Sequence, residues 1–351
     1  MNTVCDCSLV NDISGIKAQM KPHSEPIHIR ACLSEREILE RAREARRLSS
    51  PCRLCPRGCA VDRVSGERGY CGAGPLPAIA KALPHFGEEP PLTGSGGAGT
   101  IFFTRCNMRC VYCQNHQISQ GSLGDEISPH DLAAKMVALQ AAGCSNIEPV
   151  SPSHHLPGLL EALATARGEG LTLPVVYNTN GYESLETLEL LDGIVDVYLP
   201  DLKYASNEAA GRYSDAANYV ETARDAILAM HRQVGNLVVD MHGRAVRGLV
   251  IRHLVLPGNV AGSADTLAWI GEKMPVTVTI SLMAQYSPLH RANRHPEINR
   301  KVSAEEYDRV VDLAWDMGFE NVFVQDLASQ GHGIPDFEQE TPFDWHHEVG
   351  M

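Results

Sequence analysis

The sequence predicts an α/β fold: a parallel (β/α) partial TIM-like barrel of about six units, with a small N-terminal cysteine-rich metal-binding module. Three observations carry this. From residue 99 onward, short β-branched or aromatic runs alternate with longer helical ones, the pattern of repeated βα units on a parallel sheet. Polar residues gather just past the strand-like runs, where such barrels build their sites. Cysteines fall into two motif-like groups, Cys52 to Cys71 and Cys106 to Cys113, the first lying before the repeats begin. With 351 residues, 44% of them hydrophobic, the chain is long enough for a barrel and a module. The expected division is 1–95 for the N-terminal segment and four-cysteine module, 96–330 for the barrel and 331–351 for a C-terminal tail.

Residues 1 to about 30 lack periodicity and read as a lead segment in which Cys5 and Cys7 are either exposed thiols or ligands. A helix starts at Ser34, since Ser34 and Glu37 have capping-box spacing and Ile38, Leu39 and Ala42 share a face. Next, Cys52, Cys55, Cys59 and Cys71 lie among turn-forming glycines, and four thiolates complete a tetrahedral site. Both structural zinc and a closed second iron–sulfur cluster accept four cysteines, so both readings stand. With few apolar residues of its own, this module would depend on its metal.

The first barrel strand is Gly99–Thr104. Helix and strand then alternate: helix Asp131–Ala142, strand Asn146–Ser151, helix Leu156–Arg167, strand Leu173–Asn178, helix Ser184–Leu191, strand Ile194–Leu199 and helix Ala216–Val234. Strand Leu249–Leu256, helix Ala264–Lys273, strand Val276–Met283, helix Ala304–Met317 and strand Asn321–Val324 complete the series. Right-handed crossovers wind such units into a barrel or partial barrel.

Cys106, Cys110 and Cys113 follow the first strand with the spacing Cys-x3-Cys-x2-Cys and no fourth thiol nearby. A cubane cluster is ordinarily closed by four thiolates, so three leave one iron open, and an open metal site suggests chemistry. A zinc site completed by a distant histidine, or plain core thiols, are the blander readings.

The net charge of −13 and pI near 5.6 argue against a duplex nucleic-acid surface. No run of about 18 apolar residues occurs and the N-terminus lacks a secretory pattern, so a cytoplasmic protein with reduced thiols and no membrane partner is expected.

The cysteine loop resembles that of the radical S-adenosylmethionine (radical SAM) enzymes, with Tyr112 as the aromatic residue before the last cysteine. Arg105 departs from the glycine that relatives often carry. The resemblance implies a [4Fe-4S] cluster on Cys106, Cys110 and Cys113, whose open iron is chelated by SAM. One electron then splits SAM into methionine and a 5′-deoxyadenosyl radical that abstracts hydrogen.

Over roughly residues 50 to 330 the likeness narrows to activating enzymes of glycyl radical proteins, the pyruvate formate-lyase activating-enzyme type, and to a branch of that group. It implies that Asn180, Asp201 and Lys203 help to hold SAM and a nearby cation, and that Arg252 faces the SAM carboxylate. Asn178 stands where those activases carry aspartate and is a cofactor-binding candidate with them, since its amide oxygen can still coordinate, although a charge is lost. The Gly-Gly-Glu run that binds the SAM amino group is absent; Asn146 to His155 occupies its place, and backbone carbonyls, Ser151 or Ser153 could substitute.

Blander readings attach to other residues. Cys32 and Cys144 fit buried small hydrophobes, His154 and His155 solvated residues at a helix start, Tyr286 a core aromatic, and His346 and His347 a tail. Asp201 and Lys203, away from the rim, would read as a surface ion pair. The function expected is hydrogen abstraction from a glycyl radical protein, with a flavodoxin or ferredoxin-type electron donor implied by the family. The alternative is radical SAM modification of a small molecule, peptide or nucleic-acid base. A non-catalytic metal-binding scaffold is the reading from another class.

Overall fold

A computed structural model describes residues 33–331 and 333–343, and the backbone of 16–19. Cys5, Cys7, Cys32, His346 and His347 lie outside the described residues.

The described elements are, in chain order, β1 (Ile16–Gln19), α1 (Glu35–Arg47), β2 (Ala78–His85), α2 (Pro90–Thr93), β3 (Ala98–Phe103), α3 (His116–Ser119) and β4 (Asp125–Glu126). The central part comprises α4 (Pro129–Ala141), β5 (Ile147–Val150), α5 (Leu156–Gly168), β6 (Val176–Thr179), α6 (Leu185–Leu191), β7 (Val197–Pro200), α7 (Asn207–Ser214) and α8 (Tyr219–Val234). The last part comprises β8 (Val238–Val239), β9 (Ala245–Leu254), α9 (Ser263–Lys273), β10 (Thr279–Met283), α10 (Ala304–Asp316) and β11 (Asn321–Gln325).

Strands β3, β5, β6, β7, β9, β10 and β11 lie side by side in chain order, each parallel to the next, as repeated βα units require. The sheet does not close, so the barrel is partial. Antiparallel strands cover its edges, β1 on β11 and β2 with β4 outside β3.

Helix starts obey local chemistry. Ser34 accepts from the Glu37 N–H while Glu37 accepts from the Ser34 N–H, closing the expected capping box, and Ser303 with Glu306 repeats it at α10. The expected helix from Ala216 begins at Tyr219, and α7 precedes it. Asp215 separates the two in a left-handed conformation (φ 53°), which aspartate tolerates better than most residues. The strand expected from Val276 begins at Thr279, Val276 being exposed.

Two expected divisions are not breaks in packing. Ile38, Ala42, Ala45, Leu48 and Leu54 share one core with barrel residues such as Leu160 and Leu163, and Arg46 pairs with Glu161 across α1 and α5. The segment before residue 95 therefore buries its apolar side on the barrel. Past residue 331, Phe337 and Phe343 pack on Phe102, and Asp336 accepts from Gln117, so this part of the expected tail is held down.

One end of the barrel is plugged. Leu92, on α2, packs among Val176, Val197, Leu199, Val250 and Phe323, with Asn146 donating to the Leu92 carbonyl at 2.8 Å. This apolar layer closes the barrel beneath the opposite, polar end.

Candidate active site

The loop after β3 is turned by Arg105, whose positive φ of 71° is a conformation that glycine adopts more readily than a residue with a side chain. Its backbone is pinned by Arg105 N–H to Ile118 O, Arg109 N–H to Ser214 O and Val111 N–H to Tyr213 O. Each cysteine sulfur meets a neighbouring polar group. Cys106 accepts from the Met108 N–H and the Asn180 amide, both at 3.4 Å; Cys110 accepts from the Ser214 hydroxyl at 3.0 Å; Cys113 lies 3.3 Å from the Ser119 hydroxyl.

Burial first, then the neighbouring Cys110 sulfur, pushes the Cys106 thiol up to about 12 and the Cys113 thiol up to about 11. Thiols crowded out of water resist ionisation until a cation replaces their protons. Among the described residues no three His, Cys, Asp or Glu side chains converge on one ion position. A four-iron cluster places each thiolate on a different iron, so three thiols around a cavity fit it without converging.

That cavity, of about 590 Å³, opens at the C-terminal ends of the strands, and Cys106, Cys110 and Cys113 line it together with Tyr112. Asn178, Asn180, Asp201, Lys203 and Arg252 line it too, so the rim residues drawn from three strands share one space with the thiols. The turn carrying Asn180 presses on the next strand end: a Cβ on Gly181 (φ +80°) would lie 2.3 Å from the Asp201 carbonyl.

Each rim residue has a partner. Lys203 is ion-paired to Asp201 at 15% and 19% side-chain exposure, so the pair is an interior one. Burial disfavours the Lys203 charge, but Asp201 and Cys110 outweigh it and hold its pKa above the usual range. Asn178 donates to Glu148 at 2.8 Å. Tyr112 shares a 2.6 Å hydrogen bond with Tyr204, which reaches Ser214 and so Cys110. Tyr286 is buried edge-on to Tyr112 and donates to the Ile298 carbonyl. Arg252 is engaged by protein carboxylates: its Nε donates to Glu89 at 2.9 Å and its Nη2 to Glu88 and Glu89. Those two glutamates had no signal in the sequence, because they lie in a loop 163 and 164 positions from the arginine.

In the segment replacing Gly-Gly-Glu, Ser151 lines the cavity, while Ser153 turns to Glu183. His154 and His155 are buried, not solvated as expected; both Nε2 atoms meet the Thr104 carbonyl, at 2.8 and 3.0 Å, just ahead of the cluster loop. Burial lowers His154 to about 4 and holds His155 well below the usual range. The unfolded chain takes up these protons below about pH 6.5, whereas the folded His154 resists to about 4. The stability linked to the neutral ring is therefore present above pH 6.5 and lost as pH falls toward 4. His154→Gln is expected to flatten this fall by up to about 1.4 kcal/mol per pH unit in denaturant unfolding. Glu183, raised to about 7 by burial, slopes the opposite way and cancels in the comparison. Identical slopes would show that the ring titrates as in the free chain.

At the other cysteine group, Cys52 and Cys55 are buried and Cys59 and Cys71 half-buried. Burial, followed by the charges of Cys71, Glu183 and Cys52, pushes Cys55 up to about 12. Arg57, between Cys55 and Cys59, donates to the Asn107 carbonyl at 2.8 Å, fastening this segment to the cluster loop. Cys144 is a buried thiol in the core.

A family model described as the radical SAM superfamily matches residues 100–244, which contain the cysteine loop and the Asp201 and Lys203 rim. The uncharacterized protein MJ0674 of Methanocaldococcus jannaschii is 32% identical over 279 residues, covering 77% of this chain and 76% of the relative. The chain belongs to the radical SAM superfamily. This radical SAM protein is also similar to the uncharacterized protein MJ0808 of the same organism, at 27% identity over 175 residues, 43% of this chain and 49% of that one. Among solved structures, it matches the cobalamin- and [4Fe-4S]-bound radical SAM methyltransferase TsrM from Kitasatospora setae, with TM-score 0.39, 14% identity and coverage of 53% of this chain and 36% of TsrM. It also matches HydG, a maturase of the [FeFe]-hydrogenase, with TM-score 0.42, 11% identity and coverage of 85% and 63%. Radical SAM membership makes the chain an enzyme of SAM-cleaving radical chemistry and implies a [4Fe-4S] cluster and SAM. No helix among the described residues is long and apolar enough to cross a membrane.

Proposed function

We propose that this radical SAM enzyme abstracts a hydrogen atom from a backbone glycine of a partner protein, activating it as a glycyl radical protein. The observation that carries the reading is the meeting of Cys106, Cys110 and Cys113 with Asn180, Asp201 and Lys203 around one cavity, in the order along the chain that resembles the activases. When bound on the three thiolates, the [4Fe-4S] cluster supplies the electron for reductive cleavage of SAM. The chain's own contribution is positional. Asn180 links the third barrel strand end to Cys106, Ser214 and Ser119 meet the other two sulfurs, and the Asp201–Lys203 pair keeps a fixed charge beside them. The plug at Leu92 keeps the other end of the barrel dry.

Arg252 would meet the SAM carboxylate only by sharing or releasing Glu88 and Glu89. Cys52, Cys55, Cys59 and Cys71 would hold a second cluster or, once drawn together onto one ion position, zinc, with the electron coming from a flavodoxin or ferredoxin-type donor. Neither duplex nucleic acid nor a membrane is a partner in this reading, and the protein works in the cytoplasm.

The test incubates anaerobically reconstituted, reduced protein with SAM and candidate glycyl partners. Production of 5′-deoxyadenosine together with a glycyl-radical signal in electron paramagnetic resonance is expected. Robust SAM cleavage with no protein radical on any partner would overturn the activase reading.

A further inference from the structure

The floor of the cavity carries more negative charge than its own partners balance. Glu88 and Glu89, from the loop between β2 and α2, are 6% and 1% exposed, and both line the cavity while closing on the single Arg252 guanidinium. Behind them, burial and the Glu88 charge hold the Glu148 carboxyl well above the usual range, and burial holds His85, whose Nε2 lies 3.5 Å from Glu88, below the histidine range. Two carboxylates therefore face one guanidinium. Lys203 is committed to Asp201, and Arg105, which also lines the cavity, pairs with neither glutamate among the described residues. A surplus charge in a site shielded from water is costly until a cation meets it.

A second observation lies next to the first. Ser281 stands beside Arg252 in the register of β9 and β10. It is 2% exposed and lines the same cavity, and its hydroxyl has no hydrogen-bond partner among the described residues. An unused hydroxyl beside an unbalanced carboxylate pair is complementary to a cation that carries N–H groups.

We infer that Glu88, Glu89 and Ser281 form a subsite for an ammonium or guanidinium group of the substrate, which presents a positively charged side chain close to the carbon that loses hydrogen. This rests on the hydrogen-abstraction reading of the cavity. For a glycyl partner, it assigns a lysine or arginine next to the target glycine. SAM also carries an ammonium group, and the experiment separates the two sources.

The probes are acetyl-glycyl-arginine amide and acetyl-glycyl-citrulline amide, which differ in replacing a guanidinium by a neutral urea of similar shape. Binding to the anaerobically reconstituted full chain is measured by calorimetry with SAM saturating, and again without SAM. The arginine peptide is expected to bind at least about tenfold more tightly, a difference of about 1.4 kcal/mol. Glu89→Gln should erase this preference and Ser281→Ala should reduce it. The serine variant removes only a hydroxyl, and so reports even where the glutamine variant fails to fold.

Equal affinity for the two peptides overturns the inference, as does a preference undiminished in both variants. Displacement of the arginine peptide by SAM, one for one, also overturns it, because the acidic pair would then serve the cofactor's ammonium. None of these readings needs turnover. Absence of 5′-deoxyadenosine would sink the catalytic reading, whereas absence of charge selectivity in an enzyme that cleaves SAM would sink this one alone.

Discussion

Replacing Cys110 with alanine is expected to reduce 5′-deoxyadenosine formation by about a thousandfold or more, equivalent to over about 4 kcal/mol of barrier, while the protein still folds. The reason lies in how the loop is held. Its backbone is fixed by Arg109 N–H to Ser214 O, Val111 N–H to Tyr213 O and Gln120 to the Cys110 carbonyl at 2.9 Å, and none of these bonds involves the sulfur. Only the Ser214 hydroxyl loses its acceptor. Removing the sulfur takes away one of three iron ligands and leaves the scaffold, so iron content and the visible cluster absorbance should fall with the activity. Far-ultraviolet dichroism should stay close to wild type. Retained turnover in the alanine variant would refute the ligand assignment.

Arg252→Met should produce the largest loss of stability, about 3–5 kcal/mol in denaturant unfolding at neutral pH, because removing one partner strands buried charge. Arg252 is 12% exposed in its side chain, Glu88 8% and Glu89 2%, so water cannot take over the solvation of the two carboxylates. The sign of the pH dependence follows. In the native protein, burial would raise Glu88, but Arg252 and His85 outweigh it and hold the carboxyl below 4.5. Its contribution is thus present above pH 4.5 and lost as pH falls below that value through the folded pKa. The gap between variant and wild type should be widest where the stranded glutamates are ionised and should narrow as pH falls, because without Arg252 burial raises them and they take up protons above 4.5, while the wild type loses its advantage below 4.5. A gap that does not change with pH would mean that the methionine variant loses packing, not charge pairing.

The barrel strands were legible because strands buried on both faces are nearly continuous apolar runs, as in Leu249 to Leu256. β2 was not. Ala78–His85 includes Lys81 and Pro84 and is mostly half-buried, with neither alternation nor a continuous apolar run to mark it. α2 was hidden for a related reason: Pro90-Pro91-Leu92-Thr93 has the composition of a turn, and only its place inside the barrel makes Leu92 a core residue.

At the site, the cysteine loop could be read from spacing, and Asn180, Asp201 and Lys203 from their positions just past strands. The glutamates that hold Arg252 could not, since charge pairing across 163 positions leaves no local pattern. His154 and His155 were misplaced because a helix start usually faces solvent, and here both rings turn inward to one carbonyl.

The two rims of the open sheet have different histories during synthesis. β2 covers β3 after a short connection, so that side is sealed soon after both strands leave the ribosome. The other side is sealed when Ile16 comes to lie opposite Gln325, a loop closure spanning nearly the whole chain. Until residue 325 has been made, the growing sheet has a bare hydrogen-bonding border, the kind of surface that chaperones shield and sister chains capture.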